Sequence, residues 1–265
     1  MKKLILLVLT ISVIACKNKT TTTVDYSEET LDITTSIYPE NITKVFEAHG
    51  GLDKWNTMKS LEFTMPKPDG NEVTTTNLKN RKSLIEMPHH SIGYDGEHVW
   101  LKNKDTTTYT LYGGNPRFYY NLMFYFYAMP FILADDGIIY EDAEPLVFEG
   151  QSYPGIKISY ENGIGESSED EYILYYNSET YKMEWLGYTV TFFSQEKAKE
   201  FHFRRYSNWQ NVNGLLLPET MVRYNYENNL PTTVHSENVF TNVNLSTEKP
   251  EPEIFEAPAG ATIVD

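Results

Sequence analysis

The chain has 265 residues, with 22 Lys and Arg against 37 Asp and Glu. Its net charge of −15 repels phosphate backbones and argues against a nucleic-acid-binding module. A single cysteine excludes an intrachain disulfide framework and any CxxC zinc or redox site. At 40% hydrophobic the chain is too apolar for disorder, and its 14% aromatic content, including 20 Tyr, suits half-buried pleated surfaces.

Lys2 and Lys3 precede twelve uncharged residues, Leu4 to Ala15, and then Cys16. Twelve residues fall short of the roughly 20 that span a bilayer but suit the apolar region of a secretory signal. Val13-Ile14-Ala15-Cys16 resembles the bacterial lipobox, in which the signal is cut before the Cys and its sulfur is acylated. The lone Cys16 therefore reads as a lipid anchor, with 1–15 as the signal peptide. Cleavage removes two lysines and takes the net charge to −17. Residues 16–38 carry the lipidated Cys and a Thr-rich tether without hydrophobic period, spanning about 25 Å as a flexible coil. An acidic domain on such a tether is repelled by anionic headgroups and stands off the bilayer.

From residue 39 to 265 the sequence reads as one β domain. Pro39 fits the first position of a helix carrying Ile42, Val45 and Phe46, stopped by Gly50-Gly51, and a short turn over 52–58 follows. Beyond it, segments rich in Val, Ile, Thr, Tyr and Phe recur every 8–12 residues. They predict strands at 60–66, 71–78, 82–88, 97–102, 106–112, 145–150, 154–160, 170–176, 181–187, 188–194, 200–207, 216–227 and 232–242. Hairpin residues stand at Asp69-Gly70, Asp95-Gly96, Asn162-Gly163 and Asn213-Gly214. A nearly uninterrupted run of short strands is an antiparallel meander, since parallel strands need helical crossovers.

Phe118 to Ala134 breaks this rhythm, with 17 uncharged residues, an internal Pro130 and four Tyr. Two helical stripes can be drawn through it, 118/122/125/129 and 120/124/127/131, so it is apolar nearly all round. It reads either as a core helix packed on the sheet or as a lid closing an apolar cavity.

Three stretches taken in order resemble the LolA/LolB lipoprotein-localisation superfamily. They are Tyr94-Asp95-Gly96-Glu97-His98-Val99-Trp100, then Tyr206-Ser207-Asn208-Trp209 through Asn213-Gly214 to Pro218, and the tail Pro258-Ala259-Gly260-Ala261-Thr262-Ile263-Val264-Asp265. Ala48-His49-Gly50-Gly51-Leu52-Asp53-Lys54-Trp55 is similar to openings of Bacteroidota outer-membrane lipoproteins of this type. The resemblance implies a mainly β (α+β) fold, an incomplete antiparallel β-barrel of about 11–13 strands with a few helices covering its open face. It also implies an apolar cavity for acyl chains or another hydrophobic ligand. The carrier's Arg-Trp strand motif is not matched, since Asn80-Arg81-Lys82-Ser83-Leu84-Ile85 stands there. Ligand binding is thus the inheritance, rather than lipoprotein transfer.

The six His show no chelating spacing, so no metal site is expected. No nucleophile elbow, phosphate-binding glycine loop or catalytic constellation is present, and neither an enzyme nor a cofactor is expected. The run Ser167-Ser168-Glu169-Asp170-Glu171 lacks EF-hand spacing and reads as a solvated acidic loop. Aromatic residues are the remaining chemistry. Trp100, Phe118, Tyr120, Phe124, Tyr127, Phe131, Tyr181 and Trp185 are the candidate cavity and lid residues, with Tyr181 and Trp185 expected on one strand face. The sequence thus predicts an outer-membrane lipoprotein on the periplasmic side that binds a lipid or hydrophobic molecule. A scaffold recruiting a protein partner by strand addition, or an envelope hydrolase using loop carboxylates, are the alternatives.

Overall fold

A computed structural model describes residues 37–104, 112–161, 169–194 and 196–264. Cys16, the predicted strand at 106–112 up to residue 111, and the Asn162-Gly163 turn lie outside the described residues. Two short helices open the fold, α1 (Glu40–Ala48) and α2 (Leu52–Thr57). Pro39 is the N-cap of α1 rather than its first helical residue, and the helix buries Ile42, Val45 and Phe46 as its spacing predicts.

Five strands follow: β1 (Ser60–Met65), β2 (Glu72–Asn77), β3 (Ser83–Glu86), β4 (His90–Tyr94) and β5 (Val99–Asn103). After α3 (Pro116–Tyr119), α4 (Leu122–Tyr127) and a 3-10 turn over Phe131–Ala134 come β6 (Ile138–Phe148), β7 (Gln151–Tyr160), β8 (Tyr172–Tyr176) and β9 (Met183–Tyr188). Then run β10 (His202–Val212), β11 (Leu215–Glu227), β12 (Leu230–Val239), β13 (Thr241–Ser246), a second 3-10 turn over Pro252–Phe255, and β14 (Thr262–Val264).

The strands form two antiparallel seven-stranded sheets, ordered β13-β1-β2-β3-β4-β5-β14 and β12-β11-β10-β9-β8-β7-β6. Only Phe240 separates β12 in one sheet from β13 in the other, so a nearly continuous strand joins them along one side. The opposite side does not close, which gives the open antiparallel architecture expected. The strands among the described residues number fourteen rather than 11–13. The sequence reading omitted β4, whose His90-Ser91-Ile92-Gly93-Tyr94 text has weak β-propensity, and the three-residue β14, and it gave a single strand at 232–242 where β12 and β13 are separate. It also predicted a strand at 188–194. Here β9 ends at Tyr188, one further bond runs from the Thr189 N–H to the Glu171 carbonyl, and the chain then turns at 192–194.

Pairing registers place the side chains. Asn213-Gly214 makes the two-residue turn between β10 and β11, with φ of 53° and 81°, the left-handed pair that matches strand twist. On β5, Val99 packs inward with Ile85, Ile92 and Tyr120. Trp100 points the other way and lies across Gly93, its cross-strand partner, where an added Cβ would fall 2.2 Å from the indole. The Trp100 indole N–H donates to the Phe255 carbonyl at 2.8 Å, which pins the second 3-10 turn over that outer face.

His49 ends α1 fully buried, with Nδ1 2.7 Å from the Val45 carbonyl and its ring 4.5 Å from Trp209. Burial pushes its pKa down to about 4.

Two stability outcomes follow from these contacts. Gly93→Ala should cost about 2 kcal/mol by overpacking against Trp100, and an unchanged urea midpoint would contradict the close approach. His49 is held neutral when folded, so its contribution is complete above the unfolded value near 6.5 and lost as pH falls towards 4. Over that window the wild type should lose roughly 3 kcal/mol more than His49→Gln, measured by urea unfolding at pH 7 and pH 4.

Candidate functional site

The segment expected as one helix or lid is broken into α3, α4 and a 3-10 turn. Asn115 caps α3 by accepting from the Phe118 N–H, and Pro130, which has no N–H to continue α4, stands between that helix and the 3-10 turn. No helix among the described residues is long and apolar enough to cross a membrane. Even broken, the two stripes face different ways. Phe124, Tyr127 and Phe131 are at most 1% exposed. Tyr127 packs 4.4 Å from Phe63 and 4.5 Å from Phe240, and Phe131 stacks on Trp55 at 4.8 Å. The Tyr206 hydroxyl donates to the Phe126 carbonyl at 2.8 Å, fixing α4 to β10.

Of the other stripe, Phe118, Leu122 and Tyr125 border a cavity of about 570 Å³, while Met129 is buried in the core. Tyr120 borders it too, 5.0 Å from Tyr94 at the end of β4. Tyr160 and Tyr172 from β7 and β8 supply the facing wall, and Phe192 stands 5.3 Å from Phe118. The cavity thus sits between rim residues of both sheets and the outer side of the helical segment. It is apart from the packed centre.

Charge is placed around these rings. Arg81 Nη2 donates to both Asp135 oxygens at 2.6 and 2.7 Å while its guanidinium lies 5.1 Å from the Phe124 ring. Burial raises the Asp135 carboxyl, Arg81 opposes that rise, and Asp136 adds to it. Asp170 is also raised by burial, and it accepts from the Thr191 N–H at 2.7 Å and hydroxyl at 2.8 Å. Burial holds the phenols of Tyr160 and Tyr172 above their ordinary value, so they remain neutral donors. The walls can therefore receive an apolar or aromatic body and offer hydroxyls and fixed charges at its edge.

Of the eight candidate aromatics, Phe118 and Tyr120 border the cavity, and Phe124, Tyr127 and Phe131 fill the core beneath it. Trp100 lies on the outer face of the first sheet. Trp185 lies on the outer face of the second, 4.7 Å from Phe148 and 4.8 Å from Tyr224. Tyr181 stacks on Tyr176 at 5.4 Å near α1. Tyr181 and Trp185 do not share a face. Tyr181 has φ of 56° before β9 begins, and the register shifts between Tyr175–Trp185 and Tyr176–Met183. Tyr94, Tyr160, Tyr172 and Arg81 were missed, because they meet only when the ends of distant strands converge. Among the described residues no cluster of His, Cys, Asp and Glu could hold a metal ion.

Residues 105–234, just under half of the chain, match a family described as a family of unknown function, DUF6503. No curated protein matches the sequence. Two solved structures are similar to it in part. A LolA superfamily protein from Nitrosomonas europaea is 9% identical, over 80% of this chain and 96% of that one, with a TM-score of 0.43. A DUF1329 family protein from Desulfovibrio piger is 11% identical, over 78% and 94%, also at 0.43. Structural neighbours thus include the LolA superfamily. With TM-scores below 0.5, the function rests on the cavity's own geometry.

Helix α3, beside the cavity, is tied to the first sheet by a part-buried bond. The Tyr119 hydroxyl donates to Glu72 at 2.7 Å, and burial raises the Glu72 carboxyl. A raised folded pKa means this group's contribution is complete below the unfolded value, near 4.3, and is lost as pH rises through the folded one. Glu72→Gln, which keeps an acceptor for Tyr119, should therefore gain stability relative to wild type between pH 4 and pH 7. Urea unfolding at the two pH values measures the difference, and a constant difference would contradict it.

Proposed function

We propose that this chain is a lipid-anchored envelope protein, held by Cys16 at the outer membrane on its periplasmic side, that binds a lipid or other hydrophobic molecule. The supporting observation is the cavity of about 570 Å³ walled by Phe118, Tyr120, Tyr125, Tyr160 and Tyr172. Its volume falls within the roughly 300–1,000 Å³ of small-molecule sites, and its aromatic walls carry a charged rim of Arg81, Arg117, Asp135, Asp136 and Asp170. Binding is passive, driven by about 25 cal/mol for each Å² of apolar surface withdrawn from water. No covalent step is involved.

Opening the whole 116–134 segment as a lid would be costly. Met123, Phe124, Phe126, Tyr127, Phe131, Ile132 and Leu133 are all buried, and re-exposing them costs on the order of 10 kcal/mol. That is comparable to the total stability of a domain. Entry is therefore confined to the cavity's own mouth and to α3, whose only buried residue is Pro116.

Mass spectrometry of the full-length chain purified from membranes should find a co-purified hydrophobic molecule, and a fluorescent fatty acid should bind. Tyr125→Ala, which removes a cavity wall outside the packed centre, should weaken that binding about tenfold, or ~1.4 kcal/mol. If nothing co-purifies and the fluorescent probe fails to bind, the proposal is lost.

A further inference from the structure

Two arginines face each other across β10 and β11, Arg204 opposite Arg223. Directly opposed like charges destabilise an antiparallel pair, and neither has a carboxylate partner among the described residues. This occurs in a chain with 37 acidic residues, where carboxylates are abundant. Arg204 is only 8% exposed. Its guanidinium lies 4.3 Å from the Phe126 ring and 5.8 Å from Tyr188, and one Nη donates to Asn238 at 3.4 Å. Its buried Nε has no acceptor. Leaving a buried charged donor unmet is costly, and an acceptor from outside the chain would relieve it.

The space for one exists. Arg204, Arg223 and His202 line a second pocket of about 190 Å³, whose other walls include Phe118, Leu122 and Tyr188. Phe118 and Leu122 also wall the larger cavity, so the two spaces share one apolar partition. The imidazole of His202 is held below its usual value by burial and then by the Arg223 charge, with Glu200 opposing, so near neutral pH the positive field comes from the two guanidiniums.

We propose that this second pocket takes the anionic group, carboxylate or phosphate, of an amphipathic ligand. Arg204 and Arg223 clamp the anion, and the ligand's apolar body runs past Phe118 and Leu122 into the larger cavity. This rests on the hydrophobic-ligand reading and narrows it to anionic amphiphiles. Guanidiniums suit this task because their planar forks donate in pairs to carboxylate and phosphate oxygens.

Calorimetric titration of the full-length chain with decanoate, decanol and inorganic phosphate tests it, on wild type, Arg223→Gln and Arg204→Gln, with circular dichroism to verify folding. Arg223 is the more exposed of the pair, so its variant keeps the test usable should Arg204→Gln fail to fold. Decanoate should bind at least tenfold tighter than decanol, and Arg223→Gln should abolish that preference while leaving decanol affinity unchanged. Phosphate that displaces decanoate from wild type also supports the clamp. Phosphate binding lost in Arg223→Gln, with neither amphiphile bound, would keep the anion pocket and remove the lipid reading. Equal binding of decanoate and decanol, or a preference that Arg223→Gln leaves intact, overturns the inference while the cavity reading stands. No binding of any of the three overturns both.

Discussion

The arrangement depends on the seam at Phe240. There the chain leaves one sheet and enters the other without a loop, so the two sheets share a single side. Phe240 is 1% exposed, its N–H donates to the Glu219 carbonyl, and its own carbonyl accepts from Gln210 at 3.3 Å. Sheets joined along one side enclose a wedge with two apolar inner faces. Water in that wedge would be expensive. The aromatic segment fills it, with Tyr127 packed on Phe63 of one sheet and on Phe240 at the seam, and Phe126 tied to β10 through Tyr206.

Filling the wedge also decides where a ligand can go. Because Phe124, Tyr127 and Phe131 occupy the centre, the space left over lies towards the open side, where the segment's second stripe meets the ends of β4, β7 and β8. That location explains the mixed chemistry. A site in the centre would be wholly apolar, whereas strand ends and turns bring Arg81, Asp135 and Asp170 to the rim. The desolvated carboxylates there are each held by donors, Asp135 by Arg81 and Asp170 by Thr191.

Much of this is legible in the sequence. The alternation Phe201/Phe203 against His202/Arg204 reads as a strand with two faces, and in the structure the phenylalanines join the outer cluster around Trp185 while Arg204 packs under Phe126. The stripes 118/122/125/129 and 120/124/127/131 are visible as spacings. Most of the second became core, and the first became cavity wall except for the buried Met129, although Pro130 and the cap at Asn115 divide the helix that the spacing suggested. What stayed hidden was long-range. Trp100 looked like a cavity residue because tryptophan is large and apolar, but its parity on β5 and the missing side chain at Gly93 send it outward. The pairing of Arg204 with Arg223 depends on the register of a hairpin, which its Asn213-Gly214 turn determines.

The seam has a mechanical side. From β13 to β14 there are six inter-strand spacings, or roughly 29 Å at about 4.8 Å each. A sheet held along one border behaves as a lever of that length. A rotation of only about 5° at the border would then carry the far strand ~2.5 Å, about half of one inter-strand spacing. Strain in the hydrogen bonds around Phe240 would thus displace β14 far more than the strands beside the seam.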